Sequence, residues 1–210
     1  HRRRHSFPTR RSSDLTFVVL GLAAVVMAFK TSHIETPSYT ILHRINDVEI
    51  RQYPSLVVAK TSLASNSFDG AGSDGFRSIA GYIFGGNNKN QKIAMTAPVV
   101  MNLGDSASMY FVMPSAYKKE ALPNPSAANV HIEEEMPKTL AVMRFGGFSS
   151  DEKIKAQCDI LANTLTEQGI ETVGSYMYMG YNAPWDVVNR RNEVAIEIVL
   201  NTLTYSNVGP

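Results

Sequence analysis

Residues 75–101, GFRSIAGYIFGGNNKNQKIAMTAPVVM, join two periodicities that decide the fold. Phe76, Ile79, Ala80, Ile83 and Phe84 recur at i, i+3, i+4, i+7 and i+8, the spacing of one apolar stripe on a helix. Gly85-Gly86 stop that helix, because glycine enters the left-handed cap with no Cβ to clash. Asn87-Asn88-Lys89-Asn90 make a polar turn. Ile93, Met95, Ala97 and Val99 then alternate with Lys92, Ala94, Thr96 and Pro98, which predicts a strand over 92–101 with one apolar face. An amphipathic helix therefore runs into a strand able to pair beneath it.

Working outward, Tyr39–His43 and Val48–Tyr53 flank Arg44-Ile45-Asn46-Asp47, a hairpin signal. Strands are expected at Leu56–Lys60 and Met109–Met113, then a proline-rich connection with Pro114, Pro123 and Pro125. A second series follows, with strands at Val130–Glu135 and Leu140–Phe145. Ser149 opens a helix with Glu152 three residues on as a capping box, and Gly169 closes it. Its buried stripe is Ile154, Cys158, Leu161 and Leu165. Two more strands, Ser175–Tyr181 and Glu193–Leu200, complete the pattern. Strands, helix, strands thus occurs twice, which predicts an α+β fold: two helices on a curved antiparallel sheet or barrel.

The 210 residues are 44% hydrophobic and 19% charged, an ordinary globular balance for one domain and an extension. Residues 1–15, HRRRHSFPTRRSSDL, do not read like the rest, and 5–15 match a frame translation of a common sequencing-library adapter. They are set aside as an artefact. Without them 15 basic side chains stand against 18 acidic ones, a net −3 in place of +1, and the case for a nucleic-acid partner goes. Thr16–Phe29 is an unbroken apolar run, shorter than the roughly 18–20 residues of a spanning helix and of signal-peptide length. Two readings stand for 16–30: a signal peptide, with Val26-Met27-Ala28 as cleavage site, or an uncleaved membrane anchor. Residues 31–35 are a tether, 36–201 the globular domain and 202–210 a tail.

Several motifs carry no chemistry. Gly70-Ala71-Gly72-Ser73-Asp74-Gly75 matches G-x-G-x-x-G, but no strand ends at its first glycine and no acid occurs from 76 to 104, so it reads as a flexible helix entry. Cys158 lies in an apolar stripe, as a small hydrophobe. Glu133-Glu134-Glu135 are consecutive on a strand, point to alternate faces and cannot converge as an acid/base pair. No HExxH, GxSxG, Walker A or CxxC is present.

Four motifs in order are similar to those of one family: Tyr53 within 48–53; YIFGGN followed by KIAMTAPV at 82–87 and 92–99; Phe145-Gly146-Gly147-Phe148-Ser149; and Gly180-Tyr181-Asn182-Ala183-Pro184 followed by Arg190-Arg191-Asn192-Glu193-Val194. Over about residues 36–200 the chain resembles the SOUL haem-binding proteins. The resemblance implies the same α+β barrel-like fold, related to the effector-binding domains of some transcription regulators. It also implies reversible, non-enzymatic binding of haem or another porphyrin along the first helix and nearby loops. Candidates on this basis are the exposed face of 70–84, with Phe76 and Tyr82, and the 181–191 loop with Tyr181, Pro184, Trp185, Arg190 and Arg191. Arg190-Arg191 reads either as a propionate clamp or, for Arg191, as a partner of the acidic sheet edge. Some members carry a histidine where Gln52 stands here, so firm axial ligation is not expected. His43 either faces the ligand or is an exposed strand histidine; His131 starts a strand and His33 lies in the tether. Met95, Met109, Met113, Met143, Met177 and Met179 fill the core or line a soft apolar groove. Apolar burial at about 25 cal/mol per Å² holds a macrocycle without any iron ligand. The alternative is a general small-molecule sensing or protein-interaction module.

The apolar run generates a prediction. A reporter enzyme fused after Lys30, behind a supplied start codon, is expected to be active outside the cytoplasm (periplasmic or extracytoplasmic). A soluble, cytoplasmic, full-length fusion would refute export.

Overall fold

The computed structural model describes residues 34–183, 186 and 188–200. The leader, the 16–29 run, His33, Pro184, Trp185 and the 202–210 tail lie outside the described residues. Nine strands alternate with two helices: β1 (Thr40–Ile45), β2 (Val48–Tyr53), β3 (Leu56–Ser62), α1 (Phe68–Ile83), β4 (Val99–Asn102), β5 (Ser108–Val112), β6 (Val130–Glu135), β7 (Lys138–Phe145), α2 (Asp151–Glu167), β8 (Thr172–Gly180) and β9 (Asn192–Ile198). The strands form one antiparallel sheet in the order β1-β2-β7-β9-β8-β4-β5-β3-β6. Exchanging β2–β5 with β6–β9 and reversing the order returns the same list. The fold is therefore a doubled β-β-α-β-β unit whose pseudo-two-fold runs between β8 and β4, with β1 added at one edge.

Alternation along the strands gives the sheet two apolar faces. On one face α2 lays Ile154, Cys158, Leu161 and Leu165 against Ala141, Met143, Val194 and Ile196. On the same face α1 lays Ile79, Tyr82 and Ile83 against Ala59, Met109 and Phe111. The other face curls over its own core, where Val58, Val100, Tyr110, Val112, Val142 and Met179 meet with no helix between them.

Four sequence expectations change. The helix starts at Phe68, so the Gly70–Gly75 stretch is helical and not a flexible entry. Ser67 caps it, and Gly75 lets it press onto the sheet, where a Cβ would stand 2.4 Å from Leu63 Cδ2 and 3.3 Å from Met109 Sδ. Phe84, expected in the apolar stripe, is the C-cap residue and is 63% exposed. The strand expected over 92–101 is confined to β4, because Pro98 has no amide hydrogen to continue a ladder. Upstream of it the amides pair singly, Ile93 N with Ile83 O and Ala97 N with Glu35 O. α2 is capped by Ser150, one residue later than expected, with Lys153 N donating to its hydroxyl. Among the described residues no helix is long and apolar enough to cross a membrane.

The helix-to-turn junction is held by Asn87, buried at 3% exposure. Its amide nitrogen donates to Tyr82 O and Gln91 O, and its oxygen accepts from Lys89 N and Gln91 N. Asn87→Ala strands several buried polar groups at once and is expected to lower stability by about 2–4 kcal/mol, measured as a fall in denaturant midpoint.

Candidate functional site

A cleft of about 650 Å³ opens where the two repeats meet on the helix-covered side of the sheet. Its floor comes from the two central strands and β5: Val99 and Met101, Tyr178 and Gly180, and Met109. One wall is α1, through Phe68, Asp69, Gly72, Phe76 and Ala80. The facing wall is Phe148, Ser149, Asn182 and Arg190. Gly72 stands where a larger side chain would fill the slot. Phe148 is 60% exposed, a large ring left in solvent at the rim.

Arg190 sits over Phe148, its guanidinium carbon 4.9 Å from the ring centroid. One terminal nitrogen donates to Ala183 O at 3.1 Å and Asp186 O at 2.7 Å, which pins the side chain to its own loop. Its Nε is buried and has no partner among the described residues. Arg190 thus brings a fixed cation to a predominantly apolar cleft. Tyr178 OH, on the floor, is committed: it donates to Asn192 Oδ1 at 2.8 Å and shares a 2.9 Å contact with Ser149 Oγ.

Arg191 is placed differently. Its Nε and terminal nitrogen donate to Glu193 Oε1 at 3.1 and 2.8 Å, and it lies 3.9 Å over the Tyr181 ring. Glu193 is fully buried, and Arg51, 4% exposed, meets it with two donors at 2.9 and 3.1 Å. Tyr181 OH adds a bond to Glu193 at 2.8 Å. Burial raises the Glu193 carboxyl, but the bonds and charges of Arg51 and Arg191 outweigh it and hold the group below the usual carboxylate range.

Of the residues expected at a site, Phe76 and Arg190 therefore line the cleft, while Tyr181 and Arg191 belong to the buried network. Tyr82 is 1% exposed, its hydroxyl donating to Pro123 O at 3.0 Å in the core. His43, on β1, is half-buried away from the cleft, with Nε2 unpartnered among the described residues. His131 is exposed. Met109 reaches the cleft, and so does Met101, which the strand pattern had not singled out; Met113, Met143, Met177 and Met179 are buried elsewhere. The acidic edge is internally paired, Glu133 and Glu135 with Lys60 and Glu134 with Ser55. No group of three or more His, Cys, Asp or Glu is arranged to hold a metal among the described residues. Phe148 and Glu193 were visible as motif letters and Tyr178 only as a strand position, and the roles of all three depend on contacts between distant segments.

The profile of the family described as SOUL heme-binding protein matches residues 34–197. "Heme-binding protein 2" of Mus musculus and of Homo sapiens are each 35% identical over 155 residues, 70% of this chain and 75% of theirs. "Heme-binding protein 1" of Xenopus laevis is 28% identical over 154 residues, 70% of this chain and 80% of its own. Among solved structures, the EcmrR C-terminal domain is similar at a TM-score of 0.57 with 10% identity, covering 78% of this chain and 99% of that one. A structure titled as a hydrolase from Listeria innocua is similar at 0.52 with 9% identity, covering 75% and 94%. These two likenesses concern the fold alone.

The Glu193 network predicts a pH response. A carboxyl with a lowered folded pKa stabilises the protein above its ordinary range, near ~4.5, and loses that contribution as pH falls through the lowered value. Glu193→Gln is expected to cost about 3–5 kcal/mol at neutral pH by leaving two arginines without their counter-charge. Thermal melts between neutral and acid pH should show a shallower acid slope in the variant than in the wild type.

Proposed function

This chain belongs to the SOUL haem-binding family, and on that premise we propose that it binds haem or a related tetrapyrrole reversibly in the cleft beside α1. The single observation carrying the reading is an apolar slot with an immobilised cation at its edge: Phe76, Ala80 and Phe148 stand in the walls, Met101 in the floor, and Arg190 is pinned beside them by its own loop carbonyls. Its volume falls in the range of small-molecule sites, ~300–1,000 Å³. A bound tetrapyrrole supplies a broad apolar face and acidic side groups. The walls bury the face, and Arg190 pairs with an acid group. Arg191 is engaged by Glu193, so the basic clamp is assigned to Arg190; the other arginine of the lining, Arg77, is exposed and paired with Asp74.

Binding through apolar burial is supported by the lining, which contains no histidine or cysteine among the described residues and whose Tyr178 hydroxyl is committed to Asn192 and Ser149, leaving the Met101 and Met109 thioethers as its side chains of iron-ligating type. Binding without catalysis is supported by Ser149 in the lining and by Cys158 away from it. Ser149 meets the Tyr178 hydroxyl in place of a base, and Cys158 is buried under α2, where burial pushes its thiol up to about 11. An exported or membrane-tethered setting is part of the proposal and rests on the 16–29 run.

Metal-free, zinc and iron porphyrins are expected to bind with similar affinity in absorbance or fluorescence titrations. Arg190→Ala should weaken binding by about 1–3 kcal/mol. His43→Ala should change it by ~0.5 kcal/mol or less. Loss of haem uptake in His43→Ala, with zinc porphyrin binding intact, would establish iron ligation and overturn the proposed mode. Tight binding of flat apolar cations, with no porphyrin uptake, would favour the small-molecule sensing alternative.

A further inference from the structure

The two helices cap each other. Asp151, in the first turn of α2, accepts from Phe68 N at 2.6 Å, from Asp69 N at 3.3 Å and from Ser67 Oγ at 2.6 Å. Asp69, in the first turn of α1, accepts in return from Asp151 N at 3.3 Å. Ser67 Oγ takes the Gly70 amide at 2.9 Å, so each of these α1 amides has an acceptor. Each carboxylate also sits at the positive end of the other helix. Burial alone would raise the Asp151 carboxyl; the Ser67 hydroxyl and the Phe68 and Asp69 amides outweigh it and hold the group below its ordinary value.

Ser67 caps α1 at Gly70, and Asp151 takes the two preceding amides from outside the helix. What the reciprocal pair adds is relative placement. Asp69 lies in the α1 wall of the cleft, and Asp151 directly follows the segment that carries Phe148 and Ser149 in the facing wall. Phe68 stacks edge-on against Tyr178 at 4.9 Å, and Ser149 reaches the same Tyr178 hydroxyl, so both walls are also pinned to one floor residue. Lys153 Nζ donates to Gly146 O at 2.7 Å and Asn192 Nδ2 to Gly147 O at 2.8 Å, which ties the far side of the 146–150 segment.

We propose that Asp69 and Asp151 are positioning residues that fix the separation of the two cleft walls, so that a flat ligand meets a slot already set to its thickness. The inference rests on the tetrapyrrole reading only for the identity of the ligand. Two readouts test it. The first is the dissociation rate of zinc porphyrin. The second, without ligand, is the distance distribution between nitroxide labels at Arg77→Cys on α1 and Phe148→Cys on the facing wall.

Asp151→Ala is expected to broaden the distance distribution and, without the labels, to raise the dissociation rate about tenfold, the fold-change that corresponds to about 1.4 kcal/mol for a lost cap. Asp151→Asn keeps an acceptor oxygen and should recover most of both. Ile50→Val, a core change on β2 remote from both helix starts, serves as the stability control at an equal distance below its own Tm. An unbroadened distribution in Asp151→Ala, or the same rate increase in Ile50→Val, would overturn the proposal. A wild type that takes up no zinc porphyrin, with the distribution still broadening in Asp151→Ala, would sink the ligand reading and leave the positioning role standing.

Discussion

A fully buried carboxylate constrains much of this structure. Glu193 cannot sit inside the curled sheet as an isolated charge, because its hydration would be lost with nothing in exchange. Two arginines and a tyrosine therefore converge on it from three places: Arg51 on β2, Arg191 just ahead of β9, and Tyr181 just after β8. Arg51 also bonds Glu49 at 2.7 Å and lies 4.4 Å over the Tyr39 ring, so the N-terminal hairpin is gathered into the same network. The 181–191 loop is thereby clamped at both ends, with Tyr181 N donating to Arg191 O across its base. Arg190 has a fixed address at the cleft because its neighbour is committed to the interior.

The doubled topology explains where the cleft lies. Each helix packs over its own half of the sheet, α1 against β3, β5 and β6 and α2 against β7 and β9. Near the pseudo-two-fold, β4 and β8 are left partly uncovered on that side, and Val99, Met101, Tyr178 and Gly180 become a floor. Equal halves would give a symmetric groove. Here the glycine-rich start of α1 and the loop bearing Phe148 differ in chemistry, and the groove gains one helical wall that mixes Phe76 and Ala80 with Asp69 and Arg77, and one wall where Arg190 lies over Phe148.

Much of this was legible in the sequence, for reasons that can be named. The α2 stripe Ile154, Cys158, Leu161, Leu165 is buried as its spacing predicts, because one helix face meeting one sheet face is a purely periodic problem. The segment 92–98 misled for the opposite reason. Its apolar letters alternate and Ile93 and Ala97 are buried, yet Thr96 and Pro98 are buried beside Ala97, its amides pair with two unrelated partners, and no ladder forms. Glycines at 70, 72 and 75 argued against a helix by propensity, but the Ser67 cap starts it and Gly75 allows its close approach to Leu63 and Met109. Tyr82 looked like a surface aromatic because the lid over it, the connection carrying Pro123, comes from 41 residues downstream.

Arg190-Arg191-Asn192-Glu193 shows how one stretch supplies both the fold and the site. In extended backbone, successive side chains leave on opposite faces. Arg191 and Glu193 point into the curled interior and neutralise each other there. Arg190 and Asn192 point to the helix side, where Asn192 accepts from Tyr178 and donates to Gly147, holding the floor and the Phe148 segment in register. Two adjacent arginines that read alike as a clamp are thus separated by the pleat alone. The interior one cannot be released to a ligand without leaving Glu193 short of a counter-charge. The outer one costs the fold little, since its own loop carbonyls hold it in place. In the proposed binding mode, a negative group of the ligand would therefore meet the charge of Arg190 without competing against the network on which the sheet depends.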